Sequence, residues 1–256
     1  MRPNLSTHMF GYRFNPTVLL LNGAFSNSAM WPADFISKIV DNRFCVVTID
    51  HRDTGRTAWD GNLFTMDDMV DDIFHTMTIH RIKCPHIIGC SMGGNIAMRF
   101  ALKYPTHCKT LCLYATSPGY TDLKPPSDRA MYAMKKEFSY FKKNDVSAAL
   151  FHRYKFFSDE SDENIRKIVS KSVKRGINPN AKHAEVFHIS TSIIEKLKCI
   201  QQPTLIIHGE NDEIFSTDHA WKMHHEIPNS KLYIVPNINH HLPDSSIANI
   251  IVDKIK

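Results

Sequence analysis

The chain has 256 residues, 43% of them hydrophobic and 22% charged, with a net charge of +5; this is the make-up of a folded α/β domain with a large core and excludes a disordered, collagen-like or coiled-coil chain. No apolar stretch approaches a membrane span and residues 17–21 are too short for a secretory h-region, so a cytoplasmic protein with no stable membrane anchor is expected. The six cysteines (Cys45, Cys84, Cys90, Cys108, Cys112 and Cys199) form no C-x-x-C pair and no Cys/His block of zinc spacing, which reads as buried free thiols and no metal site.

Taken in order, residues 17–21 and 44–49 are continuous apolar runs, the pattern of strands buried on both faces. Residues 33–40 between them have apolar side chains at helical spacing. A longer helix is predicted over 65–80, where Met66, Met69, Val70, Ile73, Phe74 and Met77 share one face. Its Asp67, Asp68, Asp71 and Asp72 crowd the N-terminal half, where the helix dipole favours them. Strand 85–90, helix 94–103 and strand 110–115 follow. Repeated βαβ units imply a mostly parallel sheet with helices on both faces.

That rhythm breaks at Ser117. Residues 118–199 are helical in flavour and rich in aromatics, with a polar, hinge-like patch at 158–163. Residues 119–200 carry 16 Lys/Arg against 10 Asp/Glu, a basic surface that reads as solvated helix faces, with no nucleic-acid motif beside it. Strands resume at 202–209 and 231–235, and a helix over 246–255 closes the chain. The expected organisation is therefore a core of residues 1–117 and 200–256 with a helical lid, 118–199, over the C-terminal strand ends, where such sheets bind ligands.

Gly89-Cys90-Ser91-Met92-Gly93 sits between a strand and a helix. A serine on so sharp a turn is lifted above the sheet edge, and glycines flank it because a Cβ there would clash. A serine hydroxyl needs a base to take its proton and a carboxylate to orient that base. Asp212 follows the strand 202–209, and His240 follows 231–235, which places both at the sheet edge of Ser91. His241 competes with His240; Glu210, Glu213 and Asp122 compete with Asp212. Two backbone N–H groups are needed for a developing oxyanion. Met92 supplies one; Ala24, in Asn22-Gly23-Ala24-Phe25 after the first apolar strand, supplies the other, with Phe25 second.

Together these pieces resemble the α/β-hydrolase superfamily across nearly the whole chain, including its order of Ser, Asp and His. The segment from Asn22-Gly23-Ala24 to Met30-Trp31 is similar to the oxyanion loop of haloperoxidase-like esterases, with Asn22 in place of their histidine. Asp50-His51-Arg52-Asp53-Thr54-Gly55-Arg56 and Asn239-His240-His241-Leu242-Pro243 resemble segments of aclacinomycin (anthracycline) methylesterases. The second match aligns His240 with that family's base. The first reads as a tight turn with Asp–Arg pairing. The family's N-terminal hairpin is shortened here.

The resemblance implies a cofactor-free serine hydrolase acting on a small-molecule ester; the basic, aromatic lid suggests an apolar substrate with an anionic group. The same residues serve thioesterases, acyltransferases and C–C hydrolases, and an idle triad would leave a ligand-binding or signalling protein. Oligomeric state is not encoded in any of these features.

Overall fold

A computed structural model describes residues 2–58, 61–119, 124–158 and 160–255. Its centre is a seven-stranded sheet of β1 (Thr7–Phe10), β2 (Thr17–Leu21), β3 (Cys45–Ile49), β4 (His86–Cys90), β5 (Thr110–Tyr114), β6 (Thr204–Gly209) and β7 (Ser230–Val235). The order is β1-β3-β2-β4-β5-β6-β7, with only β1 antiparallel to its neighbour. The shortened N-terminal hairpin is thus a single edge strand that folds back on β3.

Parallel neighbours cannot be joined by tight hairpins, so each crossover carries a helix and buries the sheet. Strand alternation divides the core in two. Leu19, Leu21, Ile87, Leu111 and Leu113 face α2 (Met66–Ile79), α3 (Met92–Lys103) and α8 (Thr217–Glu226). Val18, Leu20, Ile88, Cys112 and Tyr114 face α1 (Ala33–Asp41) and α9 (Ser245–Ile255). Four of the cysteines are buried free thiols, but Cys84 and Cys199 are exposed.

The predicted stripe of α2 is buried apart from half-buried Phe74, and Thr65 and Asp68 close a capping box at its start. Its acids divide by depth. Asp67 and Asp68 occupy the first turn, whereas Asp71 is engaged by Arg2 and Lys103, and buried Asp72 takes a two-pronged contact from Arg52. Pairing rather than the dipole accounts for the inner two.

Between β5 and β6 the chain forms α4 (Asp128–Lys142), α5 (Val146–Phe157), α6 (Asp162–Arg175) and α7 (His183–Ile189). Phe141, Leu150, Tyr154, Ile165 and Val169 make a separate small core there, into which Phe25 and Met30 of the sheet body insert. The polar patch joins two helices: Ser158 closes α5 and Ser161 caps α6. Among the described residues no helix is long and apolar enough to cross a membrane.

Candidate active site

Ser91 stands at the junction of β4 and α3 with φ 54 and ψ −123, a conformation that costs a non-glycine residue roughly 1–3 kcal/mol unless its surroundings impose it. They do. Ser91 N donates to Tyr114 O at 3.0 Å, and Thr116 Oγ1 donates to Ser91 O at 2.5 Å. The glycines serve close approach: a Cβ on Gly93 would sit 2.1 Å from Leu21 O, and one on Gly89 2.3 Å from Gly93 O. The left-handed backbone belongs to the serine itself. Cys90 points into the α1–α9 core, where burial pushes its thiol up to about 12, so it offers no competing thiolate.

His240 Nε2 lies 3.2 Å from Ser91 Oγ, and His240 Nδ1 lies 2.8 Å from Asp212 Oδ2. A carboxylate only accepts, so Nδ1 carries the proton and Nε2 is left to accept from the serine hydroxyl. Asp212 Oδ1 accepts from Ile214 N and Phe215 N, both at 2.9 Å. Burial would raise this carboxyl, but His240, His208 and the Phe215 N–H outweigh it and hold it below the usual carboxylate range.

The competing residues are engaged elsewhere. His241 Nδ1 meets Tyr114 Oη at 2.8 Å, Glu213 pairs with Arg129, and Glu210 accepts from Asn237 N. Asp122 lies outside the described residues.

The loop after β2 faces the elbow, with a Cβ position on Gly23 only 3.2 Å from Ser91 Cβ. Asn22 anchors this loop: its Nδ2 donates to Ile49 O at 2.6 Å, and its Oδ1 accepts from Trp31 Nε1. The Gly23 carbonyl accepts from Ser26 Oγ at 2.7 Å. A trans peptide directs N–H opposite to C=O, so this bond constrains the Ala24 N–H from one side, and the adjoining Ala24–Phe25 peptide constrains it from the other. Met92 opens α3, where the first N–H groups of a helix have no intrahelical acceptor. Phe25 N is already used; it donates to His183 Nε2 at 2.7 Å.

The Asp50–Arg56 turn departs from expectation. Its acids pair with the helical segment, not with arginines of the turn. Asp50 accepts from Arg175 Nε at 2.8 Å, Asp53 Oδ1 meets His183 Nδ1 at 2.5 Å, and Arg52 is given to Asp72. Asp50 is fully buried among N–H donors, which sidesteps the cost of a lone buried charge.

Above Ser91 and His240 is a cavity walled by Met134, Phe138, Tyr154, Phe157, Phe215 and Leu242. Arg153 also lines it and is paired with buried Glu137. The buried Tyr154 hydroxyl has no hydrogen-bond partner among the described residues. Arg153, Glu137, Tyr154 and His183 were not singled out from sequence. They are ordinary members of helical runs, and for Arg153 and His183 the telling partners lie more than a hundred residues away in the chain, as with Arg153 Nη1 and Ala24 O at 2.9 Å.

The family model described as the alpha/beta hydrolase fold matches residues 16–245. Over 92% of this chain and 93% of the relative, the sequence is 25% identical to the pimeloyl-(acyl-carrier protein) methyl ester esterase of Nitrosospira multiformis. A shorter match, 29% identical over 37% of this chain and 33% of the relative, is to a rhodomycin D methylesterase of Streptomyces sp. (strain C5). In structure the chain is similar to an esterase from Exiguobacterium antarcticum, with a TM-score of 0.80 at 19% identity over 93% of this chain and 89% of that one. Parallel sheet, strand-to-helix serine and family match agree: the chain belongs to the α/β-hydrolase fold family of enzymes.

Proposed function

We propose that the protein is a serine esterase that cleaves a small carboxylic ester through an acyl-enzyme. The observation that carries this reading is the unbroken line from Ser91 Oγ through His240 to Asp212, at 3.2 and 2.8 Å, within hydrogen-bond reach at both steps. Ser91 Oγ attacks the carbonyl carbon while His240 Nε2 takes its proton. The carbonyl oxygen becomes an oxyanion held by the Ala24 and Met92 N–H groups, aided by the positive end of α3. His240 then gives its proton to the departing alkoxide. Water attacks the acyl carbon as His240 accepts its proton, and collapse of the second tetrahedral species breaks the bond to Ser91 Oγ, which takes that proton back from His240 as the acid is freed. Asp212 keeps the proton of His240 on Nδ1 and stabilises the imidazolium that forms.

The helices of residues 118–199 act as a cap in this reading. They contribute Met134, Phe138, Tyr154, Phe157 and Phe187 to a largely apolar cavity wall completed by the sheet body, which suits an apolar acyl or alcohol group. Among the described residues Arg153 is the one Lys or Arg in the wall, and its charge is compensated by Glu137. Neutral esters therefore fit better than the anionic ones suggested by the basic composition. Tyr154 offers its hydroxyl to a polar group on such a substrate.

The test is intact-mass analysis after exposure to a fluorophosphonate, on wild type and on Ser91→Ala. One adduct on the wild type, none on the variant and loss of ester turnover in the variant are expected. A well-folded wild type without adduct would overturn the reading and favour a ligand-binding protein.

A further inference from the structure

The Ala24–Phe25 peptide is held at both ends by the cap. Its carbonyl accepts from Arg153 Nη1 of α5 at 2.9 Å, and its N–H donates to His183 Nε2 of α7 at 2.7 Å. Each cap side chain has a buried acid behind it: Glu137 pairs with Arg153, and Asp53 Oδ1 meets His183 Nδ1 at 2.5 Å. The protonation of His183 follows from these contacts. An amide N–H can only donate, so Nε2 accepts and the ring proton sits on Nδ1, facing Asp53.

Phe25 itself has φ 52, an unfavourable region for a bulky aromatic residue. Its ring is stacked on Phe141 at 5.0 Å and has the Arg153 guanidinium 5.5 Å from its centroid. Contacts from residues 118–199 thus help to hold the strain, beside the Ser26 Oγ bond to Gly23 O within the loop. The next peptide toward the sheet carries the Ala24 N–H, so rotation of the Ala24–Phe25 plane would pull on that peptide and swing the donor away from the oxyanion.

We propose that His183 and Arg153 are positioning residues that clamp the Ala24–Phe25 peptide and thereby aim the Ala24 N–H at the oxyanion. This rests on the serine esterase reading and assigns the cap a part in catalysis beyond forming the cavity. His183 touches no reacting atom; it acts through the Phe25 N–H. It is also the cleaner of the two to test, because Arg153 lines the cavity as well.

The experiment measures kcat and KM with p-nitrophenyl butyrate for wild type, His183→Leu and His183→Gln, with fluorophosphonate labelling of the wild type alongside. Loss of an oxyanion donor lowers kcat about 100- to 1000-fold, and a misaimed one should forfeit part of that. His183→Leu is expected to lose roughly 10- to 100-fold in kcat with KM within about threefold. His183→Gln keeps a carbonyl acceptor for Phe25 N and an amide donor for Asp53, and should recover most of the loss. A folded His183→Leu with wild-type kcat, or a Gln variant no better than Leu, overturns the clamp.

Should His183→Leu fail to fold, the double variant Arg153→Met/Glu137→Gln removes the carbonyl side without stranding a buried carboxylate. A fall in its kcat supports the clamp and unchanged kcat overturns it. A wild type that takes no fluorophosphonate label removes the esterase reading and the clamp together. A labelled wild type with fully active variants removes the clamp alone.

Discussion

The two sides of the proposed oxyanion site are built in opposite ways. Met92 belongs to a strand-turn-helix unit whose geometry is set within the sheet body, by Gly89 and Gly93 and by the bonds from Ser91 to Tyr114 and Thr116. Ala24 belongs to a loop whose shape depends on side chains from α5 and α7, 129 and 158 residues away by their contacts. One side can be assembled as soon as the sheet forms. The other is completed only when the helices of residues 118–199 have folded onto the body, so the contacts of longest sequence separation set the second half of the proposed site.

The largest effect should come from the local side. Asp212→Asn presents an amide in place of the carboxylate that fixes the His240 tautomer, and kcat for an ester is expected to fall about 10⁴-fold. Since Asp212 contacts no cap residue among its hydrogen-bond partners, the melting temperature of the cap variants and of this one should separate cleanly. Substantial residual turnover would mean that another carboxylate orients His240.

Next comes the seam on the non-local side. Arg175→Met strips the buried Asp50 carboxylate of its one ion-pair partner among the described residues. Breaking such a pair costs about 3–5 kcal/mol, which for a chain of this size lowers Tm by roughly 10 °C. An unchanged Tm in differential scanning calorimetry would show that the cap is held by its apolar core alone.

The smallest effect concerns acid. His51, in the same turn and buried, has its pKa lowered to about 4, first by burial and then by neighbouring His183. The unfolded chain binds a proton near pH 6.5 that the folded chain refuses until about pH 4. Unfolding therefore takes up protons in that window, and stability falls as pH drops from about 6.5 to about 4, by up to about 3 kcal/mol for this one group. Above pH 6.5 the contribution is flat. Urea unfolding at pH 7.5 and 4.5 measures it, and equal stabilities would contradict the buried, neutral ring.

The same local and non-local division governs what could be read from the sequence. The parallel strands declared themselves as continuous apolar runs because both faces are covered, and the elbow because strand, glycines and helix are adjacent in the chain. Asp212 and His240 were legible by their place after strands. What could not be read were pairings across long separations. The Asp50–Arg56 turn looked self-sufficient since arginines and acids alternate within it, yet Asp50 and Asp53 reach to Arg175 and His183. Charge complementarity within a segment says nothing about which partner the fold brings nearer. Glu137 and Arg153 posed a related difficulty: on separate helices each looks like a solvated surface residue, and only the burial of Glu137 and the seat of Arg153 over the Phe25 ring reveal otherwise.

Where α6 ends, Gly176 adopts φ 113, its N–H partners lie within the helix, and its carbonyl accepts from Gly55 N at 3.0 Å. A Cβ on Gly176 would stand 2.8 Å from Gly55 O. This abutment makes the cap a poor interchangeable part. Recombination that swaps residues 118–199 between relatives cuts between the turn at 50–56 and its match at 175–183, which must travel as one unit. A chimera that respects only the obvious breakpoints would keep its elbow and lose the fit of its other half, whereas one that carries both segments together should retain a working seam.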